Sequence, residues 1–568
     1  MHMRNNTTIL HRLQLWFSDQ PDYPAQYYKD ADSKWQSISV KAYWLQVVRI
    51  ALFLERKNVT SPKAEGDQRV VIFAANSPEW VHWELGVWLS GMISVGVHPN
   101  TPKSDYVKMI SIVNPMLIVS DTVEHSQFIE NVSEMLTFSQ AAKGLMEVVP
   151  EDEKTLIQLG NRMLDQLRTD HPCLSIFTSG TTGNPKAVLL GLRQLTFVAD
   201  ALSREWNLPF SNGVLFSFLP LAHVAEKVHS VAVAITMRYP VWFNSSFERF
   251  LPELQEVRPT MLLAVPRVWQ RMKEQIENHK PKLVSYLSEM KWVGTLLDQV
   301  YLNQVRTSIG LDRLKFAVSG AAKLPPVVFE WFLRLGIEIQ EIYGMSETGG
   351  LITLTHPERE LPQTVGSVPP GTEVKLSQEG EVWVRGPHVF YGYDQNQEET
   401  DAVLLPDGWM KTGDLGEWMN DSRNVPQLHL IGRNREIIKL LNGRMIAPVL
   451  IENELKKISE ISNVCLVGEQ LPGLVALITL KERYLLDYKF KPGMVEGVLI
   501  EDDFLRKQIS EAIAKLYAEE KINEKIIKFF VLSRDFELEQ GEVTPTQKLN
   551  RDRIYKNFAH FIEFKMSE

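Results

Sequence analysis

Cysteine is almost missing from this chain of 568 residues, which contains only Cys173 and Cys465. Two cysteines that lie so far apart in sequence provide no disulfide framework and no C-x-x-C metal motif. Such usage is typical of a reducing compartment, so we expect a cytoplasmic protein. The N-terminal residues also lack the long apolar core of a signal peptide.

Long hydrophobic runs are lacking as well. The most apolar stretch, residues 228–243, is interrupted by His229, Arg238 and Pro240. It is shorter than the roughly 18 to 20 apolar residues that span a bilayer. We therefore interpret it as a buried core segment, and the sequence leaves peripheral contact with a membrane open.

An excess of basic charge is absent, since 61 basic residues face 70 acidic ones and the net charge is −9. This balance does not favour binding of nucleic acid across the surface. Repeats and low-complexity segments are absent too, and 44% of the residues are hydrophobic. The chain is therefore expected to fold, and its length predicts two or three domains.

Three familiar ligand motifs are also missing: G-x-x-x-x-G-K-[ST] for nucleotides, G-x-G-x-x-G for dinucleotides and H-E-x-x-H for zinc. What the chain does have is IFTSGTTGNPKAVLLG, residues 176–191, in which a loop rich in glycine and hydroxyl groups separates two apolar runs. Gly180 and Gly183 allow the backbone to point several N–H groups inward. Hydroxyl groups come from Thr178, Ser179, Thr181 and Thr182, and a single cation comes from Lys186. These groups favour a polyanion such as a nucleotide triphosphate, the alternative being an ordinary surface turn.

Apolar segments alternate with helical ones along the chain. Strands are predicted within 68–76, 116–121, 260–266 and 314–322, and a helix is predicted within 77–91 with Ser77 as its N-cap. Such alternation is typical of layered α/β sheets, in which ligands bind at the loops that follow the strands.

The motif TSGTTGNPK resembles the phosphate loop of the adenylate-forming superfamily, which contains acyl-CoA synthetases, luciferases and peptide-synthetase adenylation domains. Further segments resemble motifs of that family in the same order: EIYGMSETGG at 341–350, GWMKTGDLGEW at 408–418, IGRNREIIKLLNGRMIAPVLIE at 431–452 and TPTQKLNR at 544–551. Together they cover the chain from about residue 68 onwards.

The resemblance implies an α/β fold with a large multi-sheet N-terminal domain, residues 1–431, and a small mobile α+β domain, residues 432–568. It implies ATP and a carboxylic acid as substrates, Mg²⁺ as cofactor and CoA as acceptor. The small domain would carry a catalytic lysine, Lys548, to the carboxylate and the α-phosphate.

The resemblance also implies roles for single residues, which on their own would be read as core or surface positions. Tyr343 would stack on adenine beside Gly344 and Ser346, and Glu347 would hold Mg²⁺ together with Thr178. Gly320, Ala321 and Ala322 would border the adenine and the acyl group. Asp414 would bind the ribose with Arg433 nearby, Arg433 and Arg435 would form the hinge, and His223 would lie near the acyl group.

Two departures from the usual pattern favour one branch of the family. Arg435 stands where many relatives have aspartate, and Gln547 stands where many have glycine before the lysine. Both resemble synthetases for long fatty acids. The expected activity is therefore long-chain fatty acid:CoA ligation. Transfer of the acyl group to a carrier-protein thiol, and a non-catalytic relative that binds nucleotide or lipid, remain as alternatives.

Overall fold

A computed structural model describes most of the chain. The described residues are 7–60, 68–122, 134–148, 152–178, 185–279, 296–357, 361–442, 444–469, 471–489, 495–496, 499–500, 502–518, 525–537, 539–543 and 549–567. Within them the chain divides into two compact units. The first contains 1–374, 384–411 and 420–427, and the second contains 375–383, 412–419 and 428–568. The domain boundary at residue 431 stays a prediction.

The strands of the described residues form five sheets. In chain order they are β1 (Pro24–Lys29), β2 (Trp35–Ser39), β3 (Arg69–Phe73), β4 (Ile93–Val97), β5 (Leu117–Ser120), β6 (Met135–Thr137), β7 (Pro172–Thr178), β8 (Lys186–Gly191), β9 (Leu215–Ser217), β10 (Val241–Phe243), β11 (Met261–Ala264), β12 (Phe316–Gly320), β13 (Ile339–Tyr343), β14 (Thr353–Leu354), β15 (Glu373–Leu376), β16 (Glu381–Arg385), β17 (Gly392–Tyr393), β18 (Met410–Asn420), β19 (Pro426–Arg433), β20 (Ile438–Lys439), β21 (Met445–Ile446), β22 (Ile461–Val467), β23 (Leu474–Leu480), β24 (Val495–Glu496), β25 (Leu499–Ile500) and β26 (Ile526–Leu532).

The helices of the same residues cover the sheets. They are α1 (Ile9–Asp19), α2 (Val40–Thr60), α3 (Pro78–Leu89), α4 (Lys103–Val113), α5 (Phe138–Val148), α6 (Glu153–Asp165), α7 (Leu192–Glu205), α8 (Val224–Lys227), α9 (Ala234–Met237), α10 (Phe250–Val257), α11 (Pro266–His279), α12 (Leu296–Ser308), α13 (Pro326–Arg334), α14 (Gln397–Val403), α15 (Pro448–Leu455), α16 (Glu482–Lys489), α17 (Asp503–Ala518) and α18 (Arg551–Ser567). A π-helical segment, Val228–Val233, joins α8 to α9, and 3₁₀ turns occur at Phe247–Arg249, Ser346–Thr348 and Asn434–Glu436.

A seven-stranded sheet carries the predicted phosphate loop, in the order β17-β8-β7-β4-β3-β5-β6. Strand β3 is buried along its whole length, as expected for a parallel strand covered on both faces. Helix α3 then begins at Pro78, where the Oγ of Ser77 accepts from the Trp80 N–H at 3.2 Å. The strand, the N-cap and the helix predicted for residues 68–91 are therefore all present, although the helix ends at Leu89, before Gly91.

An eight-stranded sheet carries the predicted adenine segments, in the order β14-β13-β12-β11-β9-β10-β1-β2. Strands β11, β12 and β13 are parallel, with Ala264 opposite Ser319 and Gly320 opposite Ile342. Their carboxyl ends therefore meet at one edge of the sheet. Trp269 and Phe332, from α11 and α13, pack edge to face at 5.0 Å in the core beneath this sheet.

A four-stranded sheet, β15-β16-β18-β19, includes Asp414 in its third strand. The five-stranded sheet β22-β23-β26-β25-β24 belongs to the second unit and has helices on both faces. Adjacent residues of β22 enter different cores, Val464 one and Cys465 the other, because successive side chains of a strand point to opposite faces.

The fold class is mixed α/β with several sheets, as predicted. The apolar stretch 228–243 is a core segment, since nearly all of its side chains are buried. No helix in the described part of the chain is both long enough and apolar enough to cross a membrane.

Candidate active site

The two ends of the predicted phosphate loop face each other across a hairpin. Thr178 ends β7, Lys186 begins β8, and the two residues are direct antiparallel partners. Directly opposed residues point to the same face of a sheet, and so do residues two apart on one strand. Tyr393 of β17 is the partner of Val188, two residues beyond Lys186, so its side chain shares that face. Thr178, Lys186 and Tyr393 thus lie on one face of the seven-stranded sheet.

Lys186 forms an ion pair with Glu399, in the first turn of α14. Its ammonium also lies 5.0 Å from the centroid of the Tyr393 ring, a cation–π distance. The Lys186 side chain is only 13% exposed, while that of Glu399 is 31% exposed. Contacts within the protein therefore hold Lys186, the predicted phosphate cation, in place.

Glu347 lies on the same face, in the 3₁₀ turn Ser346–Thr348 that packs against β8. Its side chain is buried, and its Oε1 accepts from the hydroxyl of Tyr393 at 2.8 Å. Its carbonyl accepts from the Phe390 N–H at 2.8 Å. The structure thus brings the predicted metal carboxylate to the residues that flank the phosphate loop.

Carboxylate and hydroxyl oxygens such as those of Glu347 and Thr178 suit a hard cation like Mg²⁺. No group of three or more His, Cys, Asp or Glu side chains in the described residues could hold a metal ion by itself. Mg²⁺ is usually held by one or two carboxylates together with waters and substrate phosphates, so a sparse protein ligand set fits this ion. Glu347 and Thr178 would be the protein's share of such a site.

Tyr343 ends β13 and is followed by a sharply folded turn. A Cβ on Gly344 would lie 2.3 Å from the backbone of Gly350, so only glycine fits there. Tyr343 is mostly buried, and its carbonyl accepts from the Ile352 N–H at 2.6 Å. Ser346 is half-buried in the same turn. Close backbone packing therefore fixes the place of the predicted adenine-stacking ring.

The loop after β12 lies beside this turn, because Gly320 pairs with Ile342, the residue before Tyr343. Ala321 has a φ of 67°, a conformation that residues with a Cβ seldom adopt, and both Ala321 and Ala322 are exposed. The sequence prediction that small residues here border the same ligand as Tyr343 agrees with this strand register. Their role as ligand contacts stays a prediction.

Asp414 and Arg433 are brought together within the second unit. The Arg433 Nε donates to Asp414 Oδ1 at 3.1 Å, and the aspartate is buried while half of the arginine side chain is exposed. Gly413 has a φ of 74°, and the Asp414 N–H donates to Thr412 Oγ1 at 3.1 Å. Both features shape the strand at this point. A buried carboxylate with an exposed guanidinium beside it can accept the two hydroxyls of a ribose.

His223 is half-buried and lies immediately before helix α8, with its N–H donating to the Pro220 carbonyl at 2.9 Å. Glu226, three residues later, is fully buried, and its Oε1 accepts from Ser230 Oγ at 2.5 Å. Burial raises the pKa of Glu226 from 4.5 to about 7, and contacts with Ser217 and Ser230 partly oppose this shift.

Glu226→Gln is expected to change how stability depends on pH. The folded protein keeps a proton on Glu226 at pH values where the unfolded chain has lost it, so this group lowers the free energy of unfolding as pH rises from about 4.5 to about 7. The shift corresponds to about 3 kcal/mol. The variant should therefore gain stability relative to the parent on going from pH 5 to pH 8, measured by hydrogen exchange of peptides covering residues 224–237. Identical pH profiles for the two proteins would contradict the shift.

Several predicted residues lie outside the described residues. They are Ser179, Gly180, Thr181, Thr182, Gly183 and Lys548. Arg435 belongs to the 3₁₀ turn Asn434–Glu436. The roles assigned to all these residues stay predictions.

Tyr393 and Glu399 are the residues that sequence reasoning missed. Each contacts a predicted site residue from more than forty positions away, and β17 is only two residues long. The sequence signal that could have found Tyr393 is weak: an aromatic residue after Gly392, whose φ is 141°.

Comparison with known families assigns the chain to a class. The family model described as AMP-binding enzyme matches residues 13–394, which is more than half of the chain. The chain therefore belongs to the family of AMP-binding enzymes and is an adenylate-forming enzyme.

The names of its relatives specify an activity, which the family description does not. The chain is 29% identical over 581 residues to the long-chain-fatty-acid–CoA ligase FadD15 of Mycobacterium bovis, covering 96% of this chain and 94% of that protein. It is 26% identical over 609 residues to the human long-chain-fatty-acid–CoA ligase ACSBG2, covering 95% and 90%.

Solved structures agree with the fold. The adenylation domain of a carboxylate reductase from Mycobacterium chelonae matches with a TM-score of 0.74 at 17% identity, covering 100% of this chain and 92% of that one. The o-succinylbenzoate CoA synthetase of Bacillus subtilis, in complex with its acyl-adenylate intermediate, matches with a TM-score of 0.71 at 18% identity, covering 96% and 97%. At these identities the likeness concerns the fold alone.

Proposed function

We propose that this enzyme activates a long-chain fatty acid with ATP and transfers the acyl group to CoA. The observation that carries the proposal is the convergence of Thr178 and Lys186, the two ends of the motif TSGTTGNPK, with Glu347 on one sheet face. The names of the relatives that align along almost the whole chain support the choice of fatty acid and CoA.

Two steps are required, because a fatty carboxylate does not react with a thiol directly. In the first, a carboxylate oxygen attacks the α-phosphorus of ATP, pyrophosphate leaves and acyl-AMP forms. In the second, the thiolate of CoA attacks the acyl carbonyl and AMP leaves, while the thiol proton passes to solvent. Neither step needs a covalent bond to the protein, so its task is positioning and charge stabilisation.

The predicted residues divide this task. Lys186 and the loop N–H groups would bind the β- and γ-phosphates, and Tyr343 with the Gly320–Ala322 loop would bind adenine. Asp414 would accept the ribose hydroxyls, with Arg433 keeping the carboxylate in place. Glu347 and Thr178 would hold Mg²⁺, which when bound neutralises phosphate charge. Lys548 would add its charge at the α-phosphate, carried by residues 432–568, and His223 would contact the acyl group.

The test is pyrophosphate release over a panel of acids from acetate to long-chain fatty acids, with and without CoA. The proposal requires a maximum at long chains and acyl-CoA as the product when CoA is present. Pyrophosphate release without acyl-CoA, together with acylation of a phosphopantetheine carrier protein, would instead identify a carrier as the acceptor. No pyrophosphate with any acid would indicate a non-catalytic relative.

A further inference from the structure

Tyr393 contacts two residues to which the proposed function gives different tasks. Its hydroxyl donates to Glu347 Oε1 at 2.8 Å, and its ring lies 5.0 Å from the ammonium of Lys186. The tyrosine is mostly buried, so water competes only weakly with either contact. One side chain thus touches both the predicted metal carboxylate and the predicted phosphate cation.

The surroundings of Tyr393 allow the ring little freedom. Its N–H donates to Thr400 Oγ1 at 2.9 Å, and the Phe390 ring packs against it edge to face at 5.0 Å. The next residue, Asp394, accepts two bonds from the buried guanidinium of Arg69, at 2.7 and 2.6 Å. A ring held by its own backbone and by its neighbours can orient other groups, which is how supporting residues pre-organise a site.

We propose that Tyr393 is a positioning residue that holds the Glu347 carboxylate in the orientation required for Mg²⁺ and supports the Lys186 ammonium for phosphate binding. The inference rests on the proposed function, because it concerns the site for ATP and Mg²⁺. A carboxylate that receives a fixed hydrogen bond on one oxygen keeps one plane and one rotamer. Without that bond it must be ordered by the metal itself, which weakens metal binding by about 10- to 100-fold for supporting partners of this kind.

Tyr393→Phe separates the two contacts, because it removes the hydroxyl and keeps the ring. We expect the Mg²⁺ concentration for half-maximal ATP binding to rise about tenfold. ATP affinity at saturating Mg²⁺ should stay within about twofold of the parent, since the cation–π contact remains. Tyr393→Leu removes both contacts and should also lower ATP affinity at saturating Mg²⁺. Binding is measured by calorimetry on the full chain without fatty acid, so the readout does not depend on turnover.

Tyr239→Phe is the matched control. Tyr239 is also buried, and its hydroxyl donates to the Pro209 carbonyl at 2.7 Å, so the substitution loses a similar bond away from these residues. It should reduce thermal stability about as much as Tyr393→Phe and leave the Mg²⁺ titration unchanged.

The outcomes distinguish the positioning role of Tyr393 from the proposed function. If the parent protein shows no Mg²⁺-dependent ATP binding, the proposed function fails. If the parent does show it and Tyr393→Phe titrates at the same Mg²⁺ concentration, the positioning role is overturned while the proposed function stands. An equal shift in Tyr239→Phe would also overturn it, because general destabilisation would then explain the effect.

Discussion

Glu347→Gln is expected to lower the rate of acyl-AMP formation by about 10²- to 10³-fold, the range found when a single electrostatic stabiliser is removed. Glutamine has the shape of glutamate and keeps an oxygen that can accept from the Tyr393 hydroxyl, so the turn Ser346–Thr348 should be preserved. What is lost is the negative charge that Glu347 would offer to Mg²⁺. The measurement is pyrophosphate release with a saturating fatty acid over a range of Mg²⁺ concentrations.

Glu341→Gln is the control for this prediction. Glu341 lies six residues earlier in strand β13, is also buried, and accepts from the Leu324 N–H at 3.1 Å. Its substitution removes the same charge from strand β13, whereas Glu347 lies in the turn Ser346–Thr348 and is proposed to hold Mg²⁺. Activity close to that of the parent is expected. Equal losses in the two variants would show that buried charge in general, and not a metal ligand, accounts for the effect of Glu347→Gln.

The largest expected effect on stability concerns Glu84 and Lys227, an ion pair whose side chains are both fully buried. Ser94 Oγ donates to Glu84 Oε1 at 3.2 Å, and the Lys227 ammonium lies 5.6 Å from the Trp80 ring centroid. Burial raises the pKa of Glu84 and lowers the pKa of Lys227, so each charge depends on the other. Glu84→Ala should cost about 3 to 5 kcal/mol, because it leaves an unpaired buried ammonium.

The double variant Glu84→Leu/Lys227→Met provides the decisive comparison. Replacing both charges by apolar side chains removes the desolvation cost, so much of the lost stability should return. Hydrogen exchange of peptides covering Pro78–Leu89 reports on this region without requiring that the whole chain unfold in one step. A double variant no more stable than Glu84→Ala would contradict the expectation, because it would show that the ion pair provides stability that apolar side chains do not replace.

Local features could be predicted from the sequence because they depend on neighbouring residues. The strand at Arg69–Phe73, the cap at Ser77 and the loop after Gly320 each follow from a pattern of a few residues. Ile451 and Leu455 are buried in one core and Ile458 packs against it, as a spacing of four and then three residues favours, although helix α15 ends at Leu455.

The site could be predicted only in part, because its remaining members are determined by tertiary pairing. The sequence predicts that Lys186 binds phosphate, but nothing near it in the sequence indicates that it forms an ion pair with Glu399. The contact exists because β17 pairs with β8 and α14 follows directly. Tyr393 was missed for the same reason: a strand of two residues has no periodicity to detect.

The pairing of β17 with β8 also has a consequence for the order of events on the ribosome. Residues 69–191 supply the other strands of the seven-stranded sheet, and the chain must continue to Tyr393 before the edge at β8 acquires its last partner. About 200 residues separate the two strands, which corresponds to roughly 10 to 40 s at the usual rates of synthesis. For that time the backbone of β8 is an open edge that another nascent chain could pair with. Chaperone capture or slow codons in this interval would therefore affect yield more than similar changes after residue 393.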